Sequence, residues 1–197
     1  ANMGGVEIVG ANFTSANFTG AQINGAEAQG SSFVRANLTR ANLSGSEMHG
    51  VNFTGATLAG TNFSNSELFG ATLANVRASG ANFASAEVTA SNLSGGDFSN
   101  ADFSNASLDG ARLTGGSFSR ADFSNASLRR TDIRGADLSG ARGLTQDQIS
   151  EACGDGSTRL PGRLSPQACR SSSIRIVRAA PTPPVPPRVR NLVNAEN

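Results

Sequence analysis

The sequence predicts a repeat solenoid, and three observations carry that expectation. Every fifth residue from Met3 to Leu138 is apolar, 28 positions without a slip. The octet ADFSNASL at 101–108 returns at 121–128, a separation of 20. Neither spacing belongs to an α-helix, with its period of 3.6, or to a strand, with its period of 2. A pattern held from residue 3 to residue 138 marks stacked units, each needing its neighbours to bury its apolar side chains.

Each place of the five has its own chemistry. The large apolar residue stands third, as in Phe13, Phe33 and Leu38. Two places earlier comes a small residue, usually Ala, as in Ala11, Ala16 and Ala36. Between them falls Asn, Asp, Glu, Ser or Thr; the fourth place is mostly Ser or Thr, and the fifth Gly, Asn or Arg. Two places face inward and three outward, as expected of a chain that turns a corner every five residues.

ANFTS, ANFTG, ANLTR, ANLSG, ADFSN and ADLSG all fit the pattern A(N/D)LXX, and over residues 1–142 the chain resembles the pentapeptide-repeat family. The resemblance implies an all-β solenoid: a right-handed, four-sided (quadrilateral) parallel β-helix with four pentads per coil. Twenty-eight pentads make about seven coils, a rod roughly 34 Å long at about 4.8 Å per coil. Phe63, Phe83, Phe103 and Phe123 then stack on one face, and Phe13, Phe33 and Phe53 on another. Each buried Phe or Leu contributes roughly 1.5–3 kcal/mol gross, against the ordering of a Gly-rich backbone.

Two further segments follow the repeats. In residues 143–170, Thr145 and Gln148 have capping-box spacing ahead of Ile149 and Ala152, which predicts a short helix from about 146 to 153 covering the last coil. The only cysteines, Cys153 and Cys169, fall in this segment. A close, even pair is compatible with a disulfide in an oxidising compartment; two free thiols in a cytosolic protein is the alternative. Residues 171–197 form an Arg/Pro-rich tail, where PTPPVPP at 181–187 favours extended polyproline II. Its candidate contact residues are Arg175, Arg178, Pro183, Pro184, Pro186, Pro187, Arg188 and Arg190. A disordered tail and a strap that orders on a partner are both open readings.

Charge divides the chain. Residues 1–140 carry 8 Arg against 11 carboxylates, and residues 141–197 carry 8 Arg against 4. No apolar run approaches the roughly 18 residues of a membrane span. The chain opens at Ala1 with no initiator Met and without the charged and apolar regions of a signal peptide, which fits either a processed or a trimmed chain; a removed leader is the expectation that accompanies export. A periplasmic or otherwise exported setting is the expectation, and the cytoplasm the alternative.

Catalysis is not expected. His49 is the only histidine, and no HExxH, CxxC or P-loop sequence occurs. No metal site and no cofactor are predicted: a straight row of carboxylates is not a chelating cage. The informative feature is one face. Glu7, Glu27, Glu47, Glu67 and Glu87 each hold the second place of a pentad, 20 residues apart, and so form one outward column. Random placement on four faces would align all five in roughly 1 case of 250. Two unit charges near 5 Å repel by roughly 0.8 kcal/mol even in water. His49 and Phe69 share this face, making Phe69 an exposed aromatic, and Arg129 and Arg130 supply its only arginines.

Two functional expectations follow. The first is a non-catalytic protein-interaction module or accessory subunit of a larger, membrane-associated assembly. It would dock through Glu7, Glu27, Glu47, His49, Glu67, Phe69, Glu87, Arg129 and Arg130 and through the tail, with membrane association only through the partner. The second comes from the resemblance, which includes proteins that imitate duplex DNA and act on type II topoisomerases. The carboxylate column suits it; the modest charge of the rod, the basic tail and the cysteine pair count against it. Binding of nucleic acid itself is not expected, although the net charge of +1 argues neither way. Coil duplication, which copied ADFSNASL, is the bland origin of the column.

Overall fold

A computed structural model describes residues 2–169. The tail contacts expected at 171–197 lie outside the described residues. The local rule of the fold is set by four backbone hydrogen bonds per pentad, donated by its first, second, third and fifth amides. The amide of each first-place residue donates to the third-place carbonyl three residues earlier, as in Ala16 to Phe13 at 3.0 Å. This closes a β-turn whose third residue, the fifth place of the pentad, has positive φ. Gly80 at φ 66° adopts it freely, whereas Ala90 at φ 57° carries a Cβ into the left-handed region. The Gly and Asn seen at fifth places follow from this conformation, and the arginines there, such as Arg35 and Arg120, are tolerated in it.

The second and fourth places are linked by a side-chain clasp. Asn12 Oδ1 accepts from the Thr14 amide at 3.0 Å and from the Thr14 hydroxyl at 2.7 Å. Asn17, Asn37 and Asn52 hold Thr19, Thr39 and Thr54 in the same way. Asp97, Asp122 and Asp137 hold Ser99, Ser124 and Ser139. Short polar side chains that bond two residues ahead are the usual pre-organisers of turns. The pattern of Asn or Asp followed two places later by Ser or Thr is therefore a corner-forming device.

Corners joined by bridges make the sides. Residue i pairs in parallel with residue i+20 from Asn2↔Gln22 to Asp122↔Arg142, along four columns beginning at Asn2, Glu7, Asn12 and Asn17. The axis is filled by the third-place residues: Phe33, Phe53, Phe63, Phe83, Phe98, Phe103, Phe118 and Phe123 are all shut off from solvent. Phe63, Phe83, Phe103 and Phe123 stack with centroids 4.9, 4.9 and 5.2 Å apart. Phe13, Phe33 and Phe53 stack at 5.0 and 5.2 Å, and Phe98 on Phe118 at 5.2 Å. Offset ring pairs at these distances add about 0.5–1.5 kcal/mol each beyond burial. Met3, Ile8, Phe13 and Phe18 of the first turn are only half-buried, because nothing among the described residues packs on their outer side.

Where a first place is Ser or Thr, its hydroxyl finds a backbone carbonyl. Thr61 donates to the Leu38 carbonyl at 2.7 Å, Ser46 to Ile23 at 3.0 Å and Thr131 to Leu108 at 2.8 Å. A small polar side chain thus enters the core without an unpaired atom.

After Leu138 the register changes. Helix α1, Gln146–Glu151, starts at Thr145 with both halves of a capping box, and Ile149 is buried beneath it. The Gln148 amide also donates to the carbonyls of Phe123 and Ala126, at 2.9 and 2.8 Å. The helix ends at Glu151, two residues short of the expected 153, because Cys153 returns to a bridge with Asp132. Arg159 bridges Asp137 and Ala168 bridges Gly154, so the chain continues along two sides. A disulfide joins Cys153 and Cys169.

Carboxylates near this end are held in their charged form. The hydroxyl of Ser124 lowers the pKa of Asp122, the guanidinium of Arg134 that of Asp132, and the hydroxyl of Ser139 that of Asp137. A depressed native pKa contributes stability at pH values above the unfolded value, near 3.9 for Asp, and loses it as pH falls through the native one. The denaturant midpoint should accordingly fall below about pH 4, and Asp132→Asn should flatten part of that fall. An acid limb that is identical in Asp132→Asn would exclude this origin.

Candidate functional site

The five glutamates form the predicted column. Glu7↔Glu27, Glu27↔Glu47, Glu47↔Glu67 and Glu67↔Glu87 are consecutive parallel bridges, continued by Ser107 and Ser127. All five side chains are exposed. The face differs from the other three in its hydrogen bonding. Among the described residues, every clasp between a second-place side chain and a fourth-place amide lies on the other sides; the glutamates make none. A Glu carries one methylene more than Asp, and here it projects its carboxylate outward rather than back to the turn.

The fourth places of this face fill the gap in another way. Reading up the rod, they are Val9, Gln29, His49, Phe69, Thr89, Asp109 and Arg129. Gln29, His49, Thr89 and Asp109 reach the second-place residue of the next coil. Gln29 Nε2 donates to Glu47 Oε2 at 2.9 Å, and His49 Nε2 meets Glu67 Oε2 at 2.9 Å. Thr89 and Ser107 pair at 3.0 Å. Val9 and Phe69 have no polar atom for this, so Glu27 and Glu87 are left without a side-chain partner among the described residues. The His49–Glu67 pair is about half exposed, which makes it worth little as a stabilising bridge.

Phe69 is 51% exposed and lies edge-on to His49, centroids 6.4 Å apart. Val9, 54% exposed, is the other large apolar residue open to solvent among the described residues, and it stands on the same face. Sequence reasoning passed over Val9 and Gln29, although both hold the fourth place beside the column and the register alone identifies them.

The basic pair stands apart. Arg129 Nε donates to Asp109 Oδ2 at 3.0 Å, two coils beyond Glu87, and the Arg130 amide donates to the Glu151 carbonyl at 2.8 Å. The structure therefore brings Glu47, His49, Glu67 and Phe69 together and places Arg129 and Arg130 at the far end. Thr89, Asp109, Gly110, Arg129 and Arg130 line a shallow depression there. Asp132, Cys153 and Cys169 come within ligand distance of one another, but both sulfurs are committed to the disulfide and leave a single carboxylate. Among the described residues no helix is long and apolar enough to cross a membrane.

A four-sided helix of five-residue corners with ladders of like residues defines a class of repeat protein. The family model for pentapeptide repeats matches in eight copies spanning residues 1–142. The chain belongs to the pentapeptide repeat family, whose members form right-handed quadrilateral β-helices. A search of curated proteins returned no match.

Among solved structures, the chain is similar to HetL, a pentapeptide repeat protein involved in heterocyst differentiation regulation from the cyanobacterium Nostoc sp.. Identity is 23%, with 85% of this chain and 86% of HetL covered and a TM-score of 0.55, a likeness of fold. QnrB1, a plasmid-mediated fluoroquinolone resistance protein, aligns at 18% identity over 79% of this chain and 94% of its own, with a TM-score of 0.46. A pentapeptide repeat protein of the Arabidopsis thaliana thylakoid lumen aligns at 30% identity over 58% and 82% of the two chains, with a TM-score of 0.40.

Proposed function

We propose that the protein is a non-catalytic interaction module, an accessory subunit that docks another protein on its glutamate face. The carrying observation is that this face alone gives up the corner clasps and carries both solvent-open apolar residues, Val9 and Phe69, beside the carboxylate column. Each forgone clasp loses a local hydrogen bond of about 0.5–1.5 kcal/mol, and the aligned charges repel. A face that only tolerated copied glutamates has no need of exposed Phe and Val between them. Exposed aromatics set among charges are a common composition of protein-binding patches.

The organisation that serves this role is a seven-coil repeat rod over 1–142, an end cap over 143–170 holding α1 and the disulfide, and a basic Pro-rich tail over 171–197. Helix α1 supports the cap reading, since it brings donors to the last coil's carbonyls. The disulfide supports an exported, periplasmic setting, where such bonds persist. The partner belongs to a larger assembly, and any contact with a membrane runs through it. The alternative, imitation of DNA toward a type II topoisomerase, draws on the same column. It fits less well, because Arg129, Arg130, Arg142 and Arg159 crowd one end of the rod.

A photoreactive phenylalanine analogue placed at 69, and separately at Thr54 on another side, tests the reading in the native cell. Crosslinks to one protein from position 69 and none from 54 are expected. Equal labelling from both positions would remove the face from consideration.

A further inference from the structure

We propose that the docking partner presents a basic α-helix, laid lengthwise along the glutamate column with one cation per coil. This names the partner chemistry of the proposed docking face and rests on that reading. Between residues 6 and 90 the face holds five carboxylates and no arginine, with His49 as its single base. All five glutamate side chains are exposed, and Glu27 and Glu87 have no side-chain partner among the described residues. Beside the column, Gln29 gives its Nε2 to Glu47 at 2.9 Å, while its Oε1 is shut off from solvent with no donor among the described residues. A buried acceptor without a donor is costly. A cation seated between Glu27 and Glu47 supplies the charge these glutamates lack and stands next to the acceptor that Gln29 leaves unmet.

Spacing selects the helix. Above Glu7 the carboxylates stand at about 4.8, 9.6, 14.4 and 19.2 Å along the axis. On an α-helix, positions i, i+3, i+7, i+10 and i+14 form one stripe and rise by about 4.5, 10.5, 15 and 21 Å above the first. No pair is out of step by more than about 2 Å, within the reach of a flexible Lys or Arg. An extended strand presents same-side residues about 6.8 Å apart, so it is already about 4 Å out of step at its third residue.

The apolar residues fit the same occupant. Val9 and Phe69 are three coils apart, about 14 Å, and both are open to solvent. Helix residues eleven apart share a face at about 16.5 Å, so two large apolar side chains flanking the basic stripe cover them. The acidic stretch also has a direction. Past Glu87 the column continues as Ser107 and Ser127, and Arg129, held by Asp109, stands beside Arg130. The carbonyl end of a helix carries partial negative charge and belongs at these arginines, so the docked helix runs with its N-terminus toward Glu7.

Fluorescence anisotropy of labelled synthetic peptides with the full 197-residue chain tests the proposal. The first peptide, about 20 residues long, places Lys at i, i+3, i+7, i+10 and i+14 and Leu at two flanking positions eleven apart. A second has the same composition with its lysines spread round the helix, and a third keeps the lysine spacing but carries prolines that bar a helix. Exposed ion pairs are individually weak, and three more of them in register give about tenfold tighter binding of the first peptide than of the second. The first peptide should also gain helicity on binding, and bind more tightly than the third. Glu27→Gln/Glu47→Gln/Glu67→Gln should abolish its advantage and Phe69→Ala should reduce it, while Asp102→Asn, on another side, leaves it unchanged. Equal affinity for the first two peptides, equal affinity for the first and third, or no binding of any peptide overturns the proposal. Crosslinking from position 69 in the native cell reads partner docking whatever the partner's shape, so the docking face can stand where the helix fails.

Discussion

Phe83→Ala is expected to destabilise the rod by about 3–5 kcal/mol, the range for removing a buried aromatic, and to fall in its upper half. Phe83 is fully buried at mid-rod, stacked on Phe63 and Phe103 with both centroids at 4.9 Å, and edge-on to Phe98 at 6.1 Å. The cost depends on how far the surroundings can collapse into the cavity. Here they cannot move far, because coil spacing is held by backbone hydrogen bonds on every side, such as Phe83 N to the Asp102 carbonyl at 2.7 Å. Phe13→Ala is the internal control. That ring is half-buried in the first described coil and stacks on one side only, so its loss should cost markedly less. Urea titration followed by circular dichroism reads both. Similar losses for the two variants would contradict a core built of load-sharing ladders. Because each coil touches only its neighbours, Phe83→Ala should also broaden the transition as the two halves of the rod uncouple.

The second large effect is expected from the disulfide. Cys153→Ser/Cys169→Ser should cost about 3 kcal/mol in the chain-entropy picture for a separation of 16 residues. The loss should be local before it is global. Cys153 and Arg159 accept from the amides of Ile133 and Leu138, both at 2.8 Å, and the Cys153 amide donates to Thr131. These bonds continue two sides of the rod past its last regular coil. Hydrogen exchange at Ile133 and Leu138 should quicken in the double variant while Phe83 and Leu93 keep their protection. Uniform loss of protection along the rod would show that the end segment nucleates the whole structure rather than closing one end of it.

What the sequence discloses and what it hides have separate physical causes. The inward residues are legible because the period of five repeats whether or not its geometry is known, and the stacking of Phe63, Phe83, Phe103 and Phe123 follows from their spacing of 20. The glutamate column is legible for the same reason. The meaning of the second, fourth and fifth places is not: Asn12 and Thr14 look like generic polar residues until the clasp is seen, and a fifth-place Gly looks like flexibility rather than a left-handed corner. Only with the clasp known does the glutamate face stand out as the side that lacks it. The continuation past residue 142 was hidden by register. Helix α1 interrupts the count, so the bridge spacing moves from 20 to 21 at Asp132↔Cys153 and 22 at Asp137↔Arg159. No pattern search at a constant period finds those pairs. Arg129 and Arg130, grouped with the glutamates by face, are separated from them by distance along the axis, which a face assignment ignores.

The most direct test of the interaction reading is the composition of the protein as recovered from its native source by gentle extraction. The natural chain and the Glu27→Gln/Glu47→Gln/Glu67→Gln chain would be isolated in parallel and sized, and the stoichiometry of co-purifying proteins measured. The docking account predicts a complex of constant stoichiometry with the natural chain and its loss or marked weakening with the substituted one, at equal or slightly higher thermal stability of the rod. A lone monomer from both chains, or a complex that the three substitutions leave intact, would contradict it and leave the carboxylate column as an inheritance of coil duplication.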